Sequence, residues 1–318
     1  MKRLIVPQDA SGVRLDRFLA GSIPDWSRSR LQAVVKGGFV RVGGEVVRRP
    51  GHLVDGGQEI ELELPELAPP TTPEGGVIQE LPVLHQDEHL AFVDKPAGLL
   101  SHANDHSRRD TVVTLAEAAL GPLAAAEDPR RRGLVHRLDR LTSGVMVIAR
   151  TTEALEGLQA QFAAREVHKT YLALVHHQPR FESEWIEAPM QRDPRHPERM
   201  RIAPEGEEGR EAATLMERRE LFQGHALVAA RPRTGRTHQV RVHLTHAGHP
   251  IVGDSVYRHR GALRTPLQAD APVPRRQCLH AERLELRHPV TGEDLVAESP
   301  LAADMARLLD WLRAELPA

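Results

Sequence analysis

Between residues 65 and 82 the chain reads PELAPPTTPEGGVIQELP, and this stretch limits how everything else can fold. Pro65, Pro69, Pro70, Pro73 and Pro82 remove amide donors and fix φ, Gly75-Gly76 loosens the backbone, and no apolar period crosses the segment. Neither a long helix nor a sheet ladder passes through it, so the 318 residues are read as two domains, one small and one large. The boundaries are residues 1–65 for the small domain, an exposed, partly stiff linker over 66–82, and the large domain over 83–318.

In the small domain Leu15, Phe18 and Leu19 fall on one helical face, with Arg14 and Arg17 on its flank. Ser27 reads as the N-cap of a second helix with Leu31, Val34 and Val35 inside, ended by Gly37-Gly38. Gly43-Gly44 between two short apolar runs signals a hairpin, and Ile60, Leu62 and Leu64 alternate as a strand. Arg28, Arg30, Lys36 and Arg41 lie around the second helix and the hairpin. Such charges are ordinarily a solvated face; phosphate contact is the alternative.

Net charge is −2, which excludes nucleic-acid binding through global charge alone. The charge is uneven, however: residues 14–49 carry eight Lys/Arg against three Asp/Glu, whereas residues 50–94 carry ten acids and no Lys or Arg. One cysteine, Cys278, excludes an internal disulfide and a cysteine-based metal cluster. The N-terminus has no signal-peptide pattern and no run is long enough for a membrane span, so a cytoplasmic protein is expected.

The large domain carries its most informative stretch at residues 133–150, GLVHRLDRLTSGVMVIAR. Asp139 stands among His136, Arg137 and Arg140, ahead of a Thr142-Ser143-Gly144 turn and the apolar run Val145 to Ile148. Neighbouring cations favour an ionised carboxylate, which makes Asp139 a candidate nucleophile. A surface ion pair beside a turn is the competing reading. Elsewhere Leu90 to Val93 reads as a strand, residues 110–120 as a helix, and Leu155, Leu158 and Phe162 as an amphipathic helix. Residues 169–175 alternate as a strand containing Tyr171, and residues 239–244 as another, with Val240 and Val242 on one face. The polar stretch 178–210 is either an RNA-facing insertion or a loose hairpin. His238, His243, His246 and His249 raise a metal site, but without three converging ligands and a Cys or carboxylate partner no metal is assigned. Leu301, Met305, Leu308, Leu309, Leu312 and Leu316 form a core stripe on a last helix.

His136-Arg137-Leu138-Asp139 followed by Thr142-Ser143-Gly144 resembles the signature of the RluA family of RNA pseudouridine synthases. A kinase catalytic loop is a superficial rival, but Leu138 separates Arg from Asp and neither a Gly-rich loop nor D-F-G is present. DEHLAFVDKPAGLLSHA, KTYLALV and TGRTHQVRVH resemble further blocks of the same family in the same order, and residues 279–293 its last block. The string RLDRFLAGSIPDWSRSRLQAVVKGGFVRVGGEVV resembles an S4 RNA-binding domain, departing from it at Gly43, where Asn is usual.

The resemblance implies an α+β protein: a small N-terminal S4-like helix-helix-hairpin RNA-binding domain, and a larger, mixed but mainly antiparallel β-sheet catalytic domain flanked by helices. It implies isomerisation of uridine to pseudouridine in structured RNA, with Asp139 as the catalytic carboxylate, Tyr171 packed on the target base, and Arg236 paired with Asp139. Arg137 would fill the space the base leaves, and Arg140, His238 and Arg241 would join Arg28, Arg30, Lys36 and Arg41 in contacting RNA. No cofactor is needed for a redox-neutral isomerisation. The S4-bearing arrangement looks most like the large-subunit (23S) ribosomal RNA enzymes, acting as a monomer on the RNA or a pre-50S particle. A transfer RNA target and a non-catalytic ribosome-assembly role are the alternatives.

Overall fold

Leu15 and Leu19 lie one helical turn apart and are fully buried, and around them the N-terminal part of the computed structural model closes its core. The structure describes residues 2–23, 28–63, 72–73, 75–103, 110–258 and 267–317, except the side chains of 28–30 and 33. The elements of the first unit are β1 (Lys2–Ile5), β2 (Val13–Arg14), α1 (Leu15–Ser22), α2 (Arg28–Gly37), β3 (Val40–Val42), β4 (Glu45–Val46), β5 (Leu53–Val54) and β6 (Glu59–Leu62). β1, β6, β3 and β4 form an antiparallel sheet in that order, and α1 packs on α2. Asp16 is fully buried on α1, where it accepts from Gln32 on α2 at 2.6 Å and from Arg14 at 3.1 and 3.2 Å. The β3–β4 turn uses Gly43 at φ 58 and Gly44 at φ 88, so glycine supplies the left-handed conformation for which Asn is otherwise chosen. The cap expected at Ser27 lies outside the described residues.

The second unit begins within the proline-rich segment. Its elements are β7 (Val83–Gln86), β8 (Leu90–Lys95), α3 (Val112–Leu120), β9 (Ser143–Ala149), α4 (Thr152–Ala164), β10 (His168–His176), β11 (Ser183–Glu187), β12 (Met190–Arg192), β13 (Met200–Ile202), β14 (Ala213–Phe222), β15 (His225–Pro232), α5 (Gln239–His246), β16 (Leu279–Arg287), β17 (Asp294–Glu298) and α6 (Ala303–Glu315). A sheet runs β11-β14-β15-β10-β16-β9-β8-β7, with β17 also on β16. Every pairing in it is antiparallel except β16 with β9. The architecture is therefore α+β. Two large apolar cores fill this unit, one on β8, β9, α3 and α4, the other on β10, β15, α5 and α6, and Tyr171 touches both; a small third cluster joins Met190, Ala212 and Val242.

Three expectations are corrected. The segment 66–82 is not wholly exposed: Ile78 and Leu81 are buried in the first core of the second unit, although their neighbour Val77 stays exposed. Residues 178–210 contain β11, an edge strand on β14, and the β12–β13 hairpin, so the polar composition concealed regular pairing. Residues 239–244 are the start of α5, not a strand. Gln239 through Leu244 are all buried, so the two-residue alternation of valines reflects no single inner face. The local chemistry favours the helix: Gln239 Oε1 accepts from Thr234 Oγ1 at 2.7 Å and from the Arg236 amide at 3.0 Å, closing the turn that enters α5.

Candidate active site

The parallel meeting of β9 with β16 sets the position of Asp139. Gly144 lies opposite Ala281 in that pairing at φ 117, and a Cβ there would come within 2.1 Å of the Ala281 carbonyl oxygen. Only glycine permits this approach. The loop of residues 134–142 then arrives at the head of β9 and is gripped from several sides. Ser101 Oγ donates to the Leu138 carbonyl at 3.0 Å and accepts its amide at 3.2 Å. Lys95 Nζ, completely buried, donates to the carbonyls of Pro96, Leu99 and Arg140 at 2.9–3.1 Å. Burial, and then the charge of Arg276, push Lys95 down to about 7, against three acceptors that suit a three-donor ammonium. Arg276 donates to the Leu141 carbonyl at 3.2 Å while forked onto Asp304 at 2.6 and 2.7 Å. His136 accepts the Val147 amide at 3.0 Å through Nε2 and stacks on Phe162 at 4.9 Å, and its burial, with Lys169 nearby, lowers it to about 3. It is a neutral spacer that ties the loop to β9.

So held, Asp139 faces a cleft of about 530 Å³ whose walls include Arg137, Tyr171, Arg236, His238 and Arg241. Arg241 comes from the first turn of α5 and is buried. Its Nη1 donates to Asp139 Oδ2 at 2.9 Å, and its Nε and Nη2 fork onto Asp254 at 2.7 and 3.0 Å. Burial opposes its charge, but the hydrogen bonds and charge of Asp254, followed by those of Asp139, raise it above its ordinary value. His238 precedes α5 in the left-handed region at φ 57, which places Nε2 3.7 Å from Asp139 Oδ2. Its Nδ1 is 2.7 Å from the Tyr257 hydroxyl, which accepts the Met200 amide at 2.9 Å. Where the hydroxyl donates to Nδ1, the proton of a neutral imidazole sits on Nε2, facing Asp139. Burial lowers His238 despite the nearby Asp139 and so favours that neutral ring. Asp139 Oδ1 has no protein partner among the described residues.

Tyr171 stands at a bulge where β10 shifts register between Thr170 and Tyr171, and its partners across the neighbouring strands are Ala281 and Ala230. Burial, and then the charge of Asp139, raise its pKa, so it is a neutral phenol. His102 also lines the cleft, with a buried Nδ1 that has no hydrogen-bond partner among the described residues.

Comparison with known proteins gives this geometry a family. The family model described as RNA pseudouridylate synthase matches residues 89–246, and that of the S4 domain residues 13–60. A ribosomal large subunit pseudouridine synthase D from Xanthomonas campestris is 39% identical, over 99% of this chain and 93% of that protein. The chain belongs to the RluA-type RNA pseudouridine synthases. A relative of the same name from Pseudomonas aeruginosa is 38% identical over 98% of the synthase chain and 96% of its own. The solved structure of human RNA pseudouridylate synthase domain containing 4 has a TM-score of 0.57 and 27% identity, and covers 74% of this chain and 95% of that one.

Of the residues singled out in the synthase sequence, Asp139, Tyr171, Arg137, Arg236, His238 and Arg241 meet in one cleft. Two assignments change. The guanidinium on Asp139 is Arg241, not Arg236, whose Nε donates to the Glu211 carbonyl at 3.2 Å. Arg241 in turn is not a free RNA contact: it is 5% exposed and spent on two carboxylates. Both follow from α5 being a helix, which turns Arg241 inward and leaves Arg236 on the preceding loop. Arg140 is exposed and contributes its carbonyl to the loop anchor. Lys36 and Arg41 are exposed on the first unit, and the side chains of Arg28 and Arg30 lie outside the described residues. His243 is bonded to Thr214 at 2.9 Å and Ala188 at 3.1 Å. Sequence reasoning missed Asp254, the ring of Tyr257 and the anchor Lys95; the scarcity of tyrosine, two in the chain, was the signal for the second.

Proposed function

We propose that Asp139 is the catalytic carboxylate that isomerises uridine to pseudouridine in large-subunit (23S) ribosomal RNA. The observation that carries this reading is the clamp: Arg241 holds one oxygen of Asp139, while the other has no partner among the described residues in a cleft that Tyr171 also lines. The target base leaves its stack at a cost of about a few kcal/mol and lies on the Tyr171 ring, with Arg137 at the vacated position. The N1–C1′ bond breaks and the C5–C1′ bond forms; N1 gains a proton and C5 loses one. Asp139 serves either as nucleophile at C1′ or as base on the sugar, and in both cases Arg241 keeps it aimed. Tyr171, a neutral phenol, stacks and relays a proton. The large-subunit target is supported by the names of the relatives and by the S4 domain, which bears Lys36 and Arg41 on its surface. Residues 1–65 would dock RNA and residues 83–318 carry out the chemistry, as a cytoplasmic monomer without cofactor. Among the described residues no helix is long and apolar enough to cross a membrane.

Mapping of pseudouridine in ribosomal and transfer RNA from cells with and without the gene tests this reading. Loss at defined large-subunit positions, restored by wild type and not by Asp139→Asn, is expected. Loss confined to transfer RNA would reassign the substrate, and rescue by Asp139→Asn would remove Asp139 from the chemistry.

A further inference from the structure

The cleft continues into a second groove of about 520 Å³, with which it shares Gly235, Arg236 and Thr237. The opposite wall of that groove comprises Gln191 and Arg192 on β12, Met200 on β13, and Arg210. This wall is fixed: Met190 and Arg210 exchange both backbone hydrogen bonds, at 2.8 and 2.9 Å. Gly209 packs so closely there that a Cβ would lie 2.6 Å from Ala203 Cβ. Met200 is also bonded through its amide to Tyr257 at 2.9 Å, which ties the wall to the Asp139 network.

The nearby carboxylates are mostly spent. Glu207 takes Arg201 at 2.6 Å and Gln191 at 2.7 Å, and Glu211 takes Arg165 at 3.1 Å. Arg192, Arg210 and Arg236 form no ion pair among the described residues; Arg192 Nη1 meets only the Pro197 carbonyl at 3.0 Å, and Arg236 Nε only that of Glu211 at 3.2 Å. Against these three stands Glu208 on the same wall. A surplus of guanidinium groups with free donors, carried on a fixed backbone, is a site for phosphate.

Gly235, on the shared rim, points the same way. Its φ lies outside the left-handed region, and a Cβ added there would meet nothing within 4 Å. Neither backbone conformation nor protein packing calls for glycine, which leaves close passage of a ligand as its use.

We infer that this groove is a track for the phosphodiester backbone of the single-stranded RNA flanking the target uridine. The strand passes over Gly235 into the cleft, with Arg192, Arg210 and Arg236 on its phosphates. The inference rests on the RNA-modifying reading above and adds where the flanking strand runs.

The test is binding of a fluorescein-labelled oligouridylate to the full-length protein, titrated at salt concentrations from about 50 to 200 mM. The Asp139→Asn background keeps turnover out of the measurement. Arg192→Ala with Arg210→Ala should raise Kd about tenfold and flatten the slope of log K against log salt by about 1.4, since each single-strand phosphate left unneutralised takes away ~0.7. Both side chains are exposed, so the melting temperature should not move. Gly235→Leu should raise Kd while leaving the salt slope unchanged. An unaltered Kd and slope in the double variant would overturn the track. Pseudouridine formation by the Asp139 protein on a 23S transcript is assayed in parallel. Failure there would sink the synthase mechanism, while the salt slope would still decide the groove.

Discussion

Replacing Arg241 with lysine keeps the charge and removes the fork. The native guanidinium makes three charge-assisted bonds, one to Asp139 at 2.9 Å and two to Asp254 at 2.7 and 3.0 Å. A single ammonium on a flexible stem cannot serve both carboxylates. Asp254 is almost wholly buried and retains the cation, so Asp139 loses its partner. A charge-assisted bond is worth about 1.5–3 kcal/mol, which at ~1.36 kcal/mol per decade predicts turnover lower by about 10- to 100-fold. Breaking part of a buried ionic network costs about 3–5 kcal/mol, or roughly 6–20 °C in Tm for a unit of this size. Single-turnover loss of the C5 hydrogen from tritium-labelled 23S transcript, alongside a thermal melt, reads both effects. The companion variant Arg236→Lys keeps its charge and gives up a carbonyl contact, so its turnover should stay within about threefold of wild type. Wild-type turnover in Arg241→Lys, or a collapse confined to Arg236→Lys, would refute the assignment of Arg241 as the partner of Asp139.

Three further outcomes follow from the same geometry. Tyr257→Phe removes the hydroxyl that orients His238 and receives the Met200 amide, so kcat should fall about tenfold with an altered pH profile and little change in KM; an unchanged profile would detach His238 from the chemistry. Gly144→Ala places a Cβ 2.1 Å from the Ala281 carbonyl, and should cost at least ~3 kcal/mol and give largely insoluble protein; a soluble variant with a native melt would show that β9 and β16 can part. His136 and His176 are lowered by burial to about 3 and about 4, His176 also by His225, whose ring lies 5.0 Å away. Their contribution to stability is full above the unfolded value near ~6.5 and falls as pH drops toward the folded values, because the unfolded chain binds the protons first. Moving from pH 7 to 5 should therefore cost on the order of 2 kcal/mol per histidine, seen as a lower urea midpoint; an unchanged midpoint would mean that these rings are protonated in the fold.

Local signals were legible wherever one physical constraint acted alone. The helix faces at Leu15 and Leu19, the Gly43-Gly44 turn and the apolar run of β9 each depend on a few adjacent residues. α5 was not legible as a helix because burial on all sides erased its period, and its entry is set by Gln239 bonding into a neighbouring strand, at Ala213 and Thr214. The pairing of Arg236 with Asp139 came from the family resemblance alone, and it is the helix that brings Arg241 to the carboxylate instead. The role of Lys95 was equally hidden, since its three acceptors lie on a turn and on a loop distant in sequence. A motif indicated which residues gather; which atoms touch depended on long-range packing.

The order in which a ribosome releases this chain gives the loop anchors a temporal meaning. Asp139 emerges early, but the groups that hold its loop in place come later: Arg241 is 102 residues downstream, and Arg276 and His280 follow at 135 and 137 residues from their partners. A nascent synthase that has released Arg241 but not yet β16 has its clamp residue, yet lacks the strand that seats Gly144 and the His280 partner of Ser143. A chain truncated before β16 therefore has the whole motif without the strand that seats it.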